Sequence, residues 1–393
     1  MWLESSIGSL LGIIAGLTPG IHSNTFAALL TVLASREAAL MIIAAAIAYT
    51  VVNIIPTTFL GVPDEDTAIS VLPAHKMVLE GRGFDCITIS AVASFIAIVV
   101  SIPLFFTVSF VFKYYQVVRA VTPIILILIA FLLIITERGE VGSEESSSWK
   151  KRSYALLIFT LSGLVGCFVF NYGVDDPLAS LMLPMLTGFF ATPVLISSAG
   201  KVRKQRKSFK LPDIEATFRG TLSGLFVSIF PGMSSGIATI IATINERNVE
   251  RYIAAVSAAN SANAILSLFS FLAAGKTRSG AAVALKQLGY KSNFIEISLV
   301  SFFAALLAFL ATILIAFFFA STITKIDARK LSIGVLIFLI ILIFYLTSLV
   351  GILVFFVSSI VGILCVKLRV KRVNCMGCTM LPVTIFYLDL LYF

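Results

Sequence analysis

Apolar residues run along this chain in long stretches separated by short polar links. The apolar segments fall at 7–34, 38–60, 86–112, 117–136, 154–173, 178–200, 220–244, 251–275, 294–320, 331–348 and 349–366, and a short apolar tail follows at 379–393. Most of them approach the roughly 20 residues that a helix needs to cross the hydrocarbon core of a bilayer. A helix that is apolar all round has no solvent face and belongs in lipid or in the centre of a bundle. The pattern therefore predicts an all-α, polytopic helical integral membrane protein with about 10–12 hydrophobic segments.

Two segments depart from the pattern. Residues 7–34 contain Gly16-Leu17-Thr18-Pro19-Gly20-Ile21-His22-Ser23-Asn24, and residues 220–244 contain Phe230-Pro231-Gly232-Met233-Ser234-Ser235-Gly236. Proline removes a backbone donor and glycine frees the backbone, so each helix is expected to break there. A broken backbone at membrane depth is tolerated only within protein or beside a water-filled cavity. The interruptions are related. An offset of 212 places Pro19-Gly20 on Pro231-Gly232, Gly12 on Gly224 and Ser23 on Ser235; an offset of 210 places Thr67 on Thr277, Lys76 on Lys286 and Phe84 on Phe294. Within one transmembrane domain, 1–393, this predicts two repeats, 5–136 and 217–348. Each carries a Pro-Gly-broken hairpin, re-entrant or kinked. Residues 137–216 supply connecting spans and a basic linker, and 349–393 a final span and apolar tail.

Composition agrees. Of 393 residues 59% are hydrophobic and 12% charged, against about 45–50% and roughly 25% in soluble domains. Soluble, collagen-like, disordered and disulfide-scaffold classes are excluded. The net charge of +9 sits in short links, where it reports topology rather than nucleic-acid binding. Lys150-Lys151-Arg152, the linker 201–210 and the cluster Lys367, Arg369, Lys371 and Arg372 are read as cytoplasmic. Segment 117–136 then starts outside and its counterpart 331–348 inside, so the repeats are expected to be inverted, in a multi-pass protein of the cell membrane. The N-terminus lacks a basic region and a cleavage site and is read as mature structure.

The few polar residues within the apolar runs supply the candidate chemistry. Each Pro-Gly break exposes the N-terminus of a half-helix, with free N–H groups and a positive dipole end. Pro19, Gly20, Ser23 and Asn24, with Thr25 beside them, and Pro231, Gly232, Ser234 and Ser235 would frame a carboxylate or phosphate. His22 would bind an anion or relay a proton, or stay neutral and bonded to backbone. Asn260 and Asn263 share a helix face and would contact substrate or bridge helices. Asn53, Thr58, Asp64 and Asp66 lie where an apolar span ends in Pro63-Asp64-Glu65-Asp66-Thr67. They suit a Na⁺ or H⁺ coupling site, or form an acidic loop at the membrane edge. His75 is read as a solvated residue at a loop end, and Asn171–Pro177 as an exterior turn. Cys375-Met376-Gly377-Cys378 has metal or redox spacing but lacks a second pair and a nearby histidine. No metal site, catalytic residue or resident cofactor is expected, and Na⁺ enters only as a candidate coupling ion. Hydrolase, P-loop and zinc-protease motifs are absent from the sequence, so the chain is not read as an enzyme.

At Gly16-Leu17-Thr18-Pro19-Gly20, Gly61-Val62-Pro63 through Thr67-Ala68, Pro73 to Gly81-Arg82-Gly83, and Phe230-Pro231-Gly232, the sequence resembles the TctA family, the large membrane subunit of tripartite tricarboxylate transporters. The likeness is to a shorter, archaeal-type branch. His22 and Asn24 stand where the first family motif has small residues, and Lys276-Thr277-Arg278 where the second half usually carries a Gly-Pro-rich turn. The resemblance implies a permease working with a small membrane subunit and an extracytoplasmic solute receptor. The leading expectation is a secondary-active transporter for a small organic anion such as a carboxylate, coupled to Na⁺ or H⁺ by alternating access. The alternatives are a polyprenyl-phosphate or other lipid-phosphate translocase and a membrane-embedded lipid-phosphate enzyme. Expected partners are the anionic substrate and membrane lipid, without nucleic acid; assembly as a homo-oligomer stays open.

Overall fold

The computed structural model describes residues 1–18, 23–62, 68–137, 148–172, 181–197, 203–230, 233, 235–244, 246–290, 293–322 and 328–392. Among them the regular structure is helical, and seven helices are long and apolar enough to cross a membrane. The expected all-α polytopic membrane fold is what the chain adopts.

The first half runs α1 (Trp2–Leu17), α2 (Ser23–Leu30), α3 (Arg36–Val52), α4 (Ile54–Leu60), α5 (Val71–Leu79), α6 (Gly83–Ser101), α7 (Phe105–Val111) and α8 (Tyr115–Ile135). Ser35 caps α3, its hydroxyl accepting from the Ala38 amide at 3.2 Å. Asn53 stays helical between α3 and α4, so Arg36–Leu60 behaves as one 25-residue span. After the connecting helices α9 (Ser148–Asn171), α10 (Met182–Leu186) and α11 (Thr192–Ser197), the order begins again. It runs α12 (Ile214–Ile229), α13 (Ser235–Thr243), α14 (Val249–Ala274), α15 (Gly280–Gln287) and α16 (Phe294–Thr322), then α17 (Ala328–Lys367) and α18 (Gly377–Tyr392). Asp213, Asn248 and Ser279 cap α12, α14 and α15.

The two runs match closely. α1 and α12 each have 16 residues and end at an interruption. Span 36–60 has 25 residues and α14 has 26, and 83–111 corresponds to α16. Packing repeats as well. A methyl on Gly8 would stand 2.4 Å from the Met41 carbonyl oxygen, and one on Gly220 2.2 Å from that of Ala255. Gly12 and Gly224 approach the Ala45 and Ala259 oxygens in the same way, at 2.3 and 2.7 Å. In a membrane, where apolar burial does not drive helices together, such small-residue contacts let backbones close on each other.

The two runs interlock. α6 and α16, which correspond, pack antiparallel. Phe84 in the first turn of α6 meets Phe317 near the end of α16 at 6.2 Å between ring centroids, and Phe95 meets Phe302 and Phe309, each at 5.8 Å. By contrast α6 and α14 run parallel. Arg82 at the start of α6 pairs with Glu250 at the start of α14, and farther along the Ser90 and Ser257 hydroxyls lie 2.7 Å apart. α3 and α16 are joined reciprocally by Arg36 and Glu296 at their first turns. The antiparallel arrangement of α6 and α16 puts these two ion pairs at opposite ends of the bundle.

The remaining helices form a second packed group. Gly166 lies against the Cys378 carbonyl and Gly377 against that of Phe159, bringing α9 and α18 into backbone contact. Within α17, Val335 and Leu339 pack with Ala191 and Leu195, while Phe355, Ser358 and Ser359 pack on Gly188 and Thr192. In a straight helix Val335 and Phe355 would lie about 30 Å apart, far more than Gly188 and Leu195. The chain folds back at Ser348, whose φ of 54° and ψ of −152° are non-helical. The boundary read between 348 and 349 is thus a real turn. That backbone region is essentially restricted to glycine and strains other residues by about 1–3 kcal/mol, which exceeds glycine's entropic penalty of roughly 0.5–1 kcal/mol. Ser348→Gly is expected to raise the thermal midpoint by about 2 °C in a detergent melt, and an unchanged or lower midpoint would refute the strain. The apolar tail read from the sequence is reached through a short 3₁₀ turn, Arg372–Met376, and forms α18, which packs on α9 and α8.

Candidate functional site

The first break begins where α1 ends. Thr18 turns extended, with φ −99° and ψ 108°. Its amide donates to the carbonyls of Ile14 and Ala15, each at 3.1 Å, and its hydroxyl donates to Ile14 O at 2.8 Å. Ser23 is buried and opens α2. Pro19, Gly20 and His22 lie outside the described residues; Asn24 falls in the first turn of α2. The second break repeats this. Phe230 ends α12 in the extended region, with φ −86° and ψ 129°, and buried Ser235 opens α13. Met233 between them is buried, and Pro231, Gly232 and Ser234 lie outside the described residues.

Each hairpin leans on an asparagine-bearing turn of the long helix that follows it. A methyl on Gly16 would stand 3.2 Å from the Asn53 amide nitrogen, and one on Gly224 2.9 Å from that of Asn263. Asn53 and Asn260 are 3% exposed, whereas Asn263 is half-buried. The two helices meet where the Ser261 hydroxyl donates to Thr50 Oγ1 at 3.1 Å. Asn53 thus lies beside the stem of the first hairpin, and Asn263 beside that of the second.

The proposed coupling group is only partly described. Asp64 and Asp66 lie outside the described residues. Thr58 is fully buried within α4, its hydroxyl 3.6 Å from Cys86 Sγ. The Thr58 carbonyl accepts from His75 Nδ1 at 3.1 Å. This corrects the reading of His75 as a solvated loop residue. It is 4% exposed, on the inner face of α5, because an imidazole that is hydrogen-bonded can be buried at little penalty. Asn171 ends α9, and 173–177 of the expected exterior turn lie outside the described residues. Cys365, Cys375 and Cys378 are buried thiols, and among the described residues no group of His, Cys, Asp and Glu is arranged to hold a metal.

Sequence reasoning did not single out Arg278. Its Nη2 donates to Ile229 O at 2.9 Å, the carbonyl just before the second break. The only signal was the unusual Lys276-Thr277-Arg278 after α14. The ends of the bundle also carry polar contacts that no motif announces. Glu250 accepts from Arg82 and from Lys210, the latter at 2.7 Å. Ser208 donates to Asp85 at 2.7 Å, the Arg206 amide donates to Gly81 O at 2.8 Å, and Lys207 lies 3.9 Å from the centre of the Phe317 ring. Residues 205–210 are thereby fastened to the starts of α6 and α14. Nearby, burial alone would raise the Glu246 carboxyl, but hydrogen bonds from Arg219 and the Asn248 amide, with the charges of Arg219 and Arg251, hold it below its usual range. At the opposite end Glu296 is held by Arg36 and the Tyr290 hydroxyl.

Among the described residues, seven helices long and apolar enough to cross a membrane define a multi-pass helical membrane protein. Residues 3–377 match the profile of the tripartite tricarboxylate transporter TctA family. The chain belongs to this family, whose members are the large membrane subunits of three-part transporters. A curated relative, the uncharacterised protein MJ1079 of Methanocaldococcus jannaschii, is 28% identical over 303 residues, covering 73% of this chain and 72% of its own. No solved structure matches.

Proposed function

We propose that the chain is the permease of a secondary-active transporter that moves a small organic anion, such as a carboxylate, by alternating access. The two hairpins form a shared site between inverted repeats, 5–136 and 217–348. Paired interrupted helices in inverted repeats are the strongest sequence-level pointer to a binding site near the bilayer midplane. The observation that carries the reading is the recurrence of one hairpin and its glycine seam in two runs whose corresponding helices, α6 and α16, pack antiparallel. N–H groups at the starts of α2 and α13 would bind the anion, with Pro19, Gly20, His22, Ser23 and Asn24 on one side and Pro231, Gly232, Ser234 and Ser235 on the other. Asn260 and Asn263 would line the same space. Asn53 beside the first hairpin and Asp64 and Asp66 beyond α4 are the candidates for Na⁺ or H⁺ coupling. A gradient supplies about 2.3 kcal/mol per charge per 100 mV of potential. The chain acts without a catalytic centre of its own. It works with a small membrane subunit and an extracytoplasmic receptor, and the end carrying 203–210 faces the cytoplasm.

Uptake into proteoliposomes tests this directly. Radiolabelled citrate and succinate are expected to accumulate only under an imposed Na⁺ or proton gradient, with the receptor present if the chain needs it, and to leak out once an ionophore collapses the gradient. Leaflet exchange of a polyprenyl phosphate without carboxylate uptake would replace this reading with the lipid-translocase one. Turnover of a lipid phosphate without transport would replace it with an enzyme.

A further inference from the structure

Residues 203–210 run along one end of the bundle, held by contacts that leave most of their cations unused. Gln205 is buried, its Nε2 donating to Val78 O and its Oε1 accepting from the Gly83 amide, each at 2.8 Å. The Arg206 amide donates to Gly81 O at 2.8 Å, and Ser208 donates to Asp85 at 2.7 Å. Gly81 has a φ of 82°, and a methyl on it would stand 2.8 Å from Lys204 O, so the close approach of this segment requires glycine. The backbone is therefore fixed, while the side chains of Arg203, Lys204, Arg206 and Lys207 stay exposed.

The acids around this segment are already engaged. Glu80 and Asp85 lie 4.0 and 3.5 Å from Arg82, and Glu250 takes Arg82 and Lys210. Asp213 and Glu215 lie 3.7 and 2.7 Å from Arg251. Among the described residues no acid pairs with Arg203, Lys204, Arg206 or Lys207, so four positive charges remain on one short segment. Beside them the surface is apolar. Ile214, Phe218 and Leu222, spaced four apart on α12, are 79%, 52% and 45% exposed, which in a membrane protein marks a face turned to lipid. Phe209 and Leu211 are exposed between this face and the cations, and Lys207 lies 3.9 Å from the centre of the exposed Phe317 ring. Cations on long stems beside lipid-facing side chains, at the ends of spans, lie at the depth of the headgroups.

We propose that residues 203–211 and the first turns of α12 form a binding site for an anionic phospholipid. Arg203, Lys204, Arg206 and Lys207 hold the phosphate of its headgroup, and its acyl chains lie along Ile214, Phe218 and Leu222. A free phosphate would meet the cations but gain nothing from the apolar stripe. The lipid is bound at the perimeter rather than carried across. The inference needs only the membrane class of the chain, so it stands or falls independently of the transport reading.

The test is lipid retention by the full chain purified in dodecyl maltoside. The protein is incubated in mixed micelles of phosphatidylglycerol and phosphatidylcholine at varied mole fraction and passed through size exclusion, and the lipid left on it is quantified by mass spectrometry. Wild type is expected to retain phosphatidylglycerol in preference to phosphatidylcholine. Each cation near an anionic surface strengthens binding about fivefold, so replacing Arg203, Lys204, Arg206 and Lys207 together by Gln is expected to weaken phosphatidylglycerol binding at least about fiftyfold. Retention of phosphatidylcholine is expected to stay the same. A control that replaces the exposed Lys113, Arg119 and Lys276, beyond the far end of α14 and at the start of α8, by Gln is expected to change binding less than about threefold. Equal binding by the fourfold variant, or an equal loss in the control, overturns the proposal. Displacement of the lipid by excess glycerol 3-phosphate reassigns the site to a free phosphate and overturns it as a lipid site. If the fourfold variant does not fold, the wild type decides. Between about 0.1 M and about 1 M salt the screening length shrinks from about 10 to about 3 Å, and a preference for phosphatidylglycerol unchanged over that range rules out the cations as its basis.

Discussion

Gly224→Leu is expected to leave no transport-competent protein. A methyl at this position already stands 2.7 Å from the Ala259 oxygen, 2.8 Å from the Ala262 side chain and 2.9 Å from the Asn263 amide. Leucine adds three more carbons, so α12 must leave α14 and carry the second hairpin away from the Asn263 turn. Extra methylenes in a packed interior cost about 1–3 kcal/mol where neighbours give way, and here two of the neighbours are backbone. Gly224→Ala is expected to give a graded loss, lowering the thermal midpoint by several degrees while some uptake remains. Gly334→Leu is the control, because Gly334 is exposed and nothing stands within 4 Å of its added carbon. Size-exclusion profiles and uptake, measured side by side, check the series. A Gly224→Leu variant that elutes and transports like wild type would show that the glycine seam does not hold the hairpin.

The second large effect is expected at Glu250. This carboxylate accepts from Arg82 and from Lys210, and so ties α14 to the start of α6 and to the linker. The side chains of Arg82, Glu250 and Lys210 are 28%, 26% and 43% exposed. Each pair alone is therefore worth only about 1 kcal/mol or less. Reversal is a different matter. Glu250→Lys places a third cation between Arg82 and Lys210, so two attractions are replaced by two repulsions. The yield of monodisperse protein is expected to fall about tenfold, which corresponds to roughly 1.4 kcal/mol. Glu250→Gln is expected to lose much less. Adding Arg82→Glu to Glu250→Lys is expected to restore part of the yield, limited by Asp85, which lies 3.5 Å from Arg82. Full yield from Glu250→Lys alone would show that the end contact contributes nothing.

The sequence was most legible where the relevant physics is local. The helix breaks follow from Pro19-Gly20 and Pro231-Gly232, and the structure ends α1 at Leu17 and α12 at Ile229. The turn at Ser348 falls at the boundary read between two apolar runs, although the sequence offers no glycine to explain it. His75 was misread because a histidine next to lysine at a loop end looks solvated. Only the approach of α4 supplies the Thr58 carbonyl that makes burial tolerable. Arg278 was passed over because its partner, Ile229, lies 49 positions earlier and is an apolar residue contributing only its carbonyl.

Hydropathy alone ranks the spans misleadingly. The 18-residue core of Val249–Ala274 has a mean hydropathy of 1.4 and is 78% buried, whereas that of Phe294–Thr322 has 2.7 and is 28% buried. Of the two, the less apolar helix is the more buried, because Ser257, Asn260, Ser261, Ser267 and Ser270 face protein while Leu310, Leu314 and Phe318 of the other are exposed. In a membrane the solvent for an exposed side chain is itself apolar, so the ordinary rule that hydrophobic residues point inward no longer holds.

The run read as 86–112 divides at Ser101, and its end continues with 117–136 as one apolar stretch, Phe105–Ile135. By itself, the sequence determined the membrane class, the two helix breaks and their common spacing. Each depends on backbone chemistry and apolar length within a single segment. The tertiary structure decided which glycines become backbone contacts, that α6 and α16 run antiparallel, where Glu250 finds its partners and which carbonyl Arg278 caps. Those outcomes depend on the rotation and tilt of each helix against its neighbours. A helix that is apolar on every side carries almost no record of that rotation in its own residues.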